Sequence, residues 1–209
     1  YRLPFIQQSQ INSQIGFNFA SGLRSILRQD PDVIMVGEIR DAETAQLAVQ
    51  AALTGHLVFS TLHTNDAASS ITRLADLGIE RFLISSTLVG AMAQRLVRKV
   101  CPHCTQEHYL TPQEAAALRL ALPQGKRARV KVGGGCFECR GTGYYERTGV
   151  FEILPVDERI QELVVADADH PRIKRAAVEG GMRTLRQSAL QKLAAGVTTF
   201  EEVIRVTTV

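Results

Sequence analysis

Arg28-Gln29-Asp30-Pro31-Asp32-Val33-Ile34-Met35-Val36-Gly37-Glu38-Ile39-Arg40-Asp41 is the stretch whose reading decides the fold. Val33 to Val36 are four consecutive apolar residues between the break at Asp30-Pro31 and Gly37. That is the length and composition of a strand buried on both faces of a parallel sheet. Glu38, Arg40 and Asp41 follow directly, and in an open α/β sheet ligands bind outside the carboxyl ends of the strands. A carboxylate there can polarise a water or support hydrated magnesium, and an arginine two residues on can answer phosphate charge. A plainer reading has Glu38 and Asp41 favouring the N-terminus of the next helix, where negative charge is stabilised, and Asp41 suits that cap.

Working outward, Tyr1 to Ile15 is rich in Gln, Ser and Asn and reads as irregular or edge structure. From Phe17 the pattern is helical, with Asn18 as N-cap and Phe19, Leu23, Ile26 and Leu27 on one face, ending at Asp30-Pro31. Arg24 and Arg28 share a face of this helix. They are either two solvated arginines or a cationic ridge aimed at a phosphate. After Asp41 a second helix turns Ala45, Ala48, Val49, Ala52 and Leu53 inward and stops at Gly55. His56 to Leu62 reads as another buried strand, running into His63-Thr64-Asn65-Asp66 at the same sheet edge. His63 can donate to a phosphate oxygen there or serve as an ordinary structural histidine, and His56 has the structural reading. Asn65 or Asp66 is expected to cap a helix with Ile71, Leu74 and Leu77 inward and Gly78 as its stop. A longer amphipathic helix is expected from about Glu80 to Lys99, burying Phe82, Leu83, Ser86, Val89, Ala93, Leu96 and Val97. The alternation of strand and helix predicts an α/β layered domain with parallel strands up to Val100.

Composition sets the bounds. The chain has 209 residues, 45% hydrophobic and 22% charged, enough for a full core and more than one domain. A formal net charge of +3, with both signs mixed, gives no specific nucleic-acid surface. No apolar run is long enough to span a bilayer, and the start lacks an initiator Met and a signal-peptide pattern, so the chain reads as a fragment or processed form.

All four cysteines fall in two C-x2-C pairs, Cys101-Pro102-His103-Cys104 and Cys136-Phe137-Glu138-Cys139. Two such knuckles close a tetrahedral zinc site, Zn2+ being held by four thiolates with no open position, which makes the site structural. Disulfides or a redox motif are the alternatives, the first needing an oxidising compartment and the second having no job for a second pair. His103 is not expected to replace a cysteine. Between the knuckles, Thr111-Pro112-Gln113-Glu114 reads as a capping box ahead of Leu118 and Leu122, and Gly133-Gly134-Gly135 as a sharp turn. Beyond them, Val150 to Leu154 reads as a strand ending at Pro155. Helices then start at Asp157, Asp169, Thr184 and Thr199 and stop at Gly180-Gly181 and Gly196. Lys174, Arg175, Arg183 and Arg186 make this tail locally basic, the pattern of solvated helix faces. A phosphate-binding loop of the form G-x-x-x-x-G-K-S/T is absent: the only Gly-Lys pair, Gly125-Lys126, has Leu120 at the first glycine position and Arg127 after it.

The residues Leu23-Arg24, Leu27 to Asp32, Gly37 to Asp41, Thr54-Gly55-His56-Leu57, Ser60 to Asn65, Gln94-Arg95-Leu96, Cys101 to Cys104 and Thr198 to Val203, in this order, resemble the bacterial type II secretion and type IV pilus assembly ATPases. The resemblance covers essentially the whole chain. It implies that Gly37-Glu38 is the Walker B segment, with Glu38 orienting the attacking water and supporting Mg2+. It implies that Ser60 to Asn65 is the family's His box, with His63 sensing the γ-phosphate of ATP. Arg24, Arg28, Arg40 and Arg73 match family arginines of the acidic-box neighbourhood, the Walker B turn and the following helix, and the resemblance implies Arg24, Arg28, Arg73 and Gly37 as cofactor-binding residues and Arg40 as catalytic. The paired cysteines match the secretion and assembly branches rather than pilus retraction.

The fold expected on this basis is α/β: residues 1–100 as the C-terminal half of a RecA-like P-loop NTPase domain, 101–153 as a tetracysteine zinc-binding lobe, and 154–209 as an α-helical tail. The resemblance implies the C-terminal portion of a homo-hexameric motor ATPase. In the cytoplasm, such a motor would act on inner-membrane platform proteins of a secretion or pilus machine and be peripheral to the membrane through them. Without its Walker A loop the chain is expected to be inactive alone. The competing reading is a zinc-ribbon binding module for nucleic acid or protein, without catalysis.

Overall fold

The computed structural model describes residues 3–121 and 127–207; Leu122 and the Gly125-Lys126 pair lie outside the described residues. After a 3-10 turn at Ser13–Ile15, the elements of the first half are α1 (Phe19–Ile26), β1 (Val33–Val36), α2 (Ala42–Leu53), β2 (Leu57–Ser60), α3 (Ser69–Asp76), α4 (Arg81–Thr87) and β3 (Gly90–Val100). The second half has β4 (Thr105–Tyr109), α5 (Pro112–Ala117), β5 (Arg129–Gly133), β6 (Tyr144–Pro155), α6 (Glu158–Val165), α7 (His170–Glu179), α8 (Leu185–Ala194) and α9 (Phe200–Thr207). They form two compact units that cut across chain order. The first holds Tyr1–Thr64, Ala68–Val89 and Pro155–Ala176, the second Asn65–Ala67, Gly90–Leu154 and Ala177–Val209.

In the first unit, Asn18 caps α1 through a capping box: its Oδ1 accepts from the Ser21 N–H at 2.8 Å, and Ser21 Oγ accepts from the Asn18 N–H at 2.9 Å. β1 has the expected bounds and pairs in parallel with β2, Val33 opposite Leu57 through Val36 opposite Ser60. Its burial departs from expectation. Ile34 and Val36 join Ala20, Leu23, Ala45 and Ala48 in the core, while Val33 and Met35 are 57% and 71% exposed. Their partners Leu57 and Phe59 are exposed on the same face, so β2 is not the buried strand expected, and it ends at Ser60 rather than Leu62. α2, which packs on α1 and β2, covers one face only. Asp41 caps α2 by accepting from the Thr44 N–H at 2.8 Å, and Gly55, with φ +99°, ends it, leaving Leu53 exposed. His56 Nδ1 lies 2.9 Å from the Ala51 carbonyl oxygen, a structural contact as expected. α3 has Ala68 at its N-cap position, where Asn65 or Asp66 was expected. α6, capped by Asp157 through the Ile160 N–H at 2.9 Å, packs on α4.

The long helix expected from Glu80 to Lys99 is instead α4 followed by the strand β3. Ala93, Val97 and Val100 are buried, and their spacing of four and three imitates a helix face. Along β3, however, Ala91, Ala93, Arg95, Val97 and Lys99 are buried or half-buried while Gly90, Met92, Gln94, Leu96 and Arg98 are exposed. That is a period of two, disguised by two long cations on the inner face. Phe82, Ser86, Val89 and Leu96, expected inside, are exposed.

In the second unit β3 pairs with β6, and β4 runs antiparallel to β5 with Thr105 opposite Gly133 and Tyr109 opposite Arg129. The β4–β5 pair carries the polar run Thr-Gln-Glu-His-Tyr and was not anticipated. Thr111 and Glu114 form the expected capping box on α5, and Leu118 behind it is buried. The three-glycine run does two jobs: Gly135 has φ +89° and turns the chain, whereas a Cβ on Gly133 would stand 2.0 Å from the Gly143 carbonyl oxygen. α8 starts at the Thr184 capping box and packs on α9, and Gly196, with φ +68°, precedes α9.

Candidate functional site

The exits of β1 and β2 are knitted together by two hydrogen bonds. Ile39 N–H donates to the Thr61 carbonyl at 3.0 Å, and Thr61 Oγ1 donates to the Gly37 carbonyl at 2.7 Å. Parallel pairing puts both strand ends at one edge, and these bonds set their spacing. Gly37 suits the place, since a Cβ there would meet the Phe19 ring at 3.3 Å. The outcome is that Glu38, Arg40 and His63 converge. Glu38 Oε2 accepts from Arg40 Nε at 2.6 Å and lies 3.0 Å from His63 Nε2. Glu38 Oε1 has no protein partner among the described residues. The Glu38 side chain is 21% exposed, against 67% for Arg40 and 83% for His63. The hydrogen bond from Arg40 holds the Glu38 carboxyl below the usual carboxylate range, with partial burial opposing it and His63 adding to it; Glu38 in turn raises Arg40. A carboxylate that stays ionised, with one oxygen fixed and one open, can orient a water or support a magnesium ion.

The other three arginines stand apart from this trio. Arg24 pairs with Glu43 of α2 at 2.5 Å, a partner the sequence reading did not include. Arg28 is exposed and Arg73, on α3, is half-buried; among the described residues neither forms an ion pair.

The second unit holds the four cysteines, whose Sγ atoms all lie within 4.8 Å of one another. Cys101 to Cys136 and Cys104 to Cys139 are each 3.8 Å, and Cys136 to Cys139 is 3.6 Å. A tetrahedron with Zn–S bonds of ~2.3 Å has edges of ~3.8 Å, so the donor set fits zinc. The sulfurs are too far apart for disulfides, whose S–S bond is ~2.05 Å. Burial, with the neighbouring thiols, pushes Cys104 up to about 12. Burial opposes ionisation of Cys139 too, but N–H donors from Cys136 and Gly143 outweigh it and bring Cys139 to about 6. One ready thiolate beside a reluctant one is a set that a divalent cation would ionise throughout. His103 stays out of the cluster, its ring edge-on to Tyr145 with centroids 6.3 Å apart.

Two buried glutamates of this unit escaped the sequence reading as functional groups. Glu202 is fully buried. Its Oε1 accepts from Arg98 Nε and Arg205 Nε, both at 2.9 Å, and its Oε2 from the Arg98 N–H and Arg205 Nη2, both at 2.7 Å. Burial opposes its charge, yet these donors bring its pKa down to about 2. The Arg98 guanidinium also stacks 3.9 Å from the Tyr144 ring centroid, and the Tyr144 hydroxyl meets Thr199 Oγ1 at 2.8 Å. Glu152 is 1% exposed and accepts from two backbone N–H groups, of Ala67 at 2.9 Å and of Leu185 at 3.1 Å. A lone buried carboxylate has no periodic signature, and the signal that could have found these two is the presence of Glu in otherwise apolar inward positions of β6 and α9.

The family described as Type II/IV secretion system protein matches residues 1–205. The chain is 51% identical over 204 residues to the type IV pilus assembly ATPase PilB of Thermus thermophilus, covering 98% of this chain and 23% of that protein. It is 49% identical over 205 residues to the type II secretion system ATPase E of Vibrio cholerae, covering 97% and 40%. Among solved structures, the pilus retraction motor PilT with bound ADP matches with TM-score 0.62 and 28% identity, over 91% of this chain and 43% of that one. The Yersinia pseudotuberculosis ATPase DotB matches in fold with TM-score 0.67 and 23% identity, over 98% and 44%. The α/β fold is thus that of a part of these ATPases, and the chain spans less than half the length of each.

Proposed function

Because this chain belongs to the Type II/IV secretion system protein family, we propose that it is the C-terminal part of a hexameric motor ATPase that drives protein secretion or type IV pilus assembly from the cytoplasmic side of the inner membrane. The observation that carries the reading is the Glu38–Arg40–His63 trio at the ends of two parallel strands, with Glu38 Oε1 open. Glu38 orients the attacking water through Oε1 while Arg40 fixes Oε2 and lowers the carboxyl's pKa. His63, largely exposed beside it, donates to the γ-phosphate and so links nucleotide state to the carboxylate. Magnesium bound to ATP would neutralise phosphate charge at this edge, with Glu38 supporting its hydration shell. Gly37 leaves room for the strand to bend past Phe19 toward the ligand. Arg24, Arg28 and Arg73 supply positive charge to the phosphates of their own or a neighbouring subunit, Arg24 by exchanging Glu43 for phosphate.

The open face of Val33, Met35, Leu57 and Phe59 suits a further layer supplied by the rest of such a protein, which also brings the phosphate-binding loop. The tetracysteine cluster holds structural Zn2+. ATP turnover by the full-length protein, compared with its Glu38→Gln variant, tests the reading. A fall of ~100-fold or more is expected for losing a positioned catalytic carboxylate, and unchanged turnover overturns it. The present chain alone should neither bind ATP tightly nor hydrolyse it, and measurable turnover by it would equally overturn the proposal.

A further inference from the structure

Gly37, Glu38, Ile39, Thr61 and His63 all lie in the first unit, and Thr61 hydrogen-bonds to the backbone on both sides of Glu38. Its Oγ1 donates to the Gly37 carbonyl at 2.7 Å, and its carbonyl accepts from the Ile39 N–H at 3.0 Å. The Gly37 carbonyl belongs to the peptide plane that enters the Glu38 α-carbon, and the Ile39 N–H belongs to the plane that leaves it. Peptide units are planar, so the direction of the Glu38 side chain is set by the two soft dihedrals between those planes. Anchoring both planes on one residue therefore fixes where the carboxylate points. The entering plane is anchored by a side chain, and it is the plane most in need of an anchor, because Gly37 has no Cβ to restrict its own backbone.

The parallel register of β1 and β2 runs from Val33 opposite Leu57 to Val36 opposite Ser60, so Thr61 stands just past its end. Its side chain is exposed there, which sets it apart from the packed residues of the core. Two residues further on comes His63, whose Nε2 lies 3.0 Å from Glu38 Oε2. Thr61 thus belongs to one strand exit and holds the backbone of the other. We propose that Thr61 is a positioning residue for the reaction: through its hydroxyl it aims the Glu38 carboxylate and sets that carboxylate's distance from His63. This rests on the ATPase reading above. In this role the hydroxyl transfers no proton and touches no substrate, its hydrogen being committed to the Gly37 carbonyl.

The experiment measures kcat and KM for ATP in the full-length protein carrying Thr61→Val or Thr61→Ser, each alone and together with Glu38→Gln. Thr61→Val keeps the shape and removes the hydroxyl. It is expected to lower kcat ~10-fold with KM within ~2-fold, the mark of a misaimed carboxylate rather than of weakened binding. Thr61→Ser keeps the Oγ and is expected to hold kcat within ~2-fold of the parent, a rescue that a role in packing would not produce. In the Glu38→Gln background Thr61→Val is expected to cause no further loss, because both changes act through the same carboxylate. Thr61→Ala removes the same hydroxyl with the same expected result, and keeps the test decisive if the valine variant does not fold. Turnover per folded molecule equal to the parent, a serine variant no better than valine, or a loss that multiplies with Glu38→Gln overturns the positioning role alone. A Glu38→Gln protein with undiminished turnover overturns instead the site assignment beneath it.

Discussion

Glu38 and Glu202 are each a glutamate between two basic side chains, and the difference in their surroundings separates the proposed site from a strut. Glu202 has no exposed surface, and both of its oxygens accept two hydrogen bonds each, from Arg98 and Arg205. Every lone-pair direction is taken, so a ligand could enter only by breaking a bond already made. Glu38 accepts through Oε2 alone, and its partners Arg40 and His63 are mostly in solvent, where they can exchange one another for phosphate or water at small cost. Both carboxyls are held ionised, and by similar donors. Ionisation therefore does not distinguish them; unused acceptor capacity and replaceable partners do.

Removal of the proposed zinc is the largest test of the idea that full satisfaction marks structure, because a cation is what would satisfy the cysteine cluster. Zinc in such sites contributes ~10–16 kcal/mol of apparent folding energy. A strong chelator at neutral pH should release ~1 zinc per chain, as four thiolates close one tetrahedral site, and expose four reactive thiols with loss of amide protection from Cys101 to Cys139. Retention of protection there would break the comparison. Next comes His63→Ala in the full-length protein, expected to cost ~100-fold in kcat while leaving the melting temperature unchanged, since the ring is mostly exposed. A stability loss without a kinetic one would make the Glu38 cluster a strut as well.

Glu202→Gln should do the reverse, costing ~2 kcal/mol of stability while leaving turnover per folded molecule unchanged. The pH dependence has a definite sign. Glu202 falls from 4.5 to about 2 on folding, so the unfolded chain takes up its proton first. The stability it contributes is complete above about 4.5 and is lost as pH falls toward about 2, and denaturant titrations across that window should be flatter in the Gln variant. The smallest effect is Thr111→Ala, which removes one half of a capping box for ~1 kcal/mol and touches neither glutamate.

What could be read in advance divides along the same line. β1, the caps at Asn18, Asp41, Thr111, Asp157 and Thr184 and the paired cysteines all announce themselves within a few residues, because their chemistry is local. The trio's members are visible too, as polar residues after apolar runs, although only the paired strand exits bring Glu38 to His63 across 25 residues. Glu202 bonds to Arg98 across 104 residues and Glu152 to Ala67 across 85, separations at which no sequence pattern operates. The error over Glu80 to Lys99 has another origin. Ala93, Val97 and Val100 fit a helical period, and the true period of two has Arg95 and Lys99 on its inner side, where Arg95 reaches the Asn65 carbonyl and Lys99 reaches Glu146 at 2.7 Å. Tertiary partners overrode the local pattern.

Val33, Met35, Leu57 and Phe59 set how the isolated chain behaves as a colloid. Two copies meeting through this apolar face lose water from both, and the net charge of +3 is a weak opponent when the Debye length is ~8 Å at physiological salt. Purified alone, the chain should attract itself increasingly as salt is raised, the opposite of a charge-bridged association. One lysine at Met35 should suppress the scattering that results.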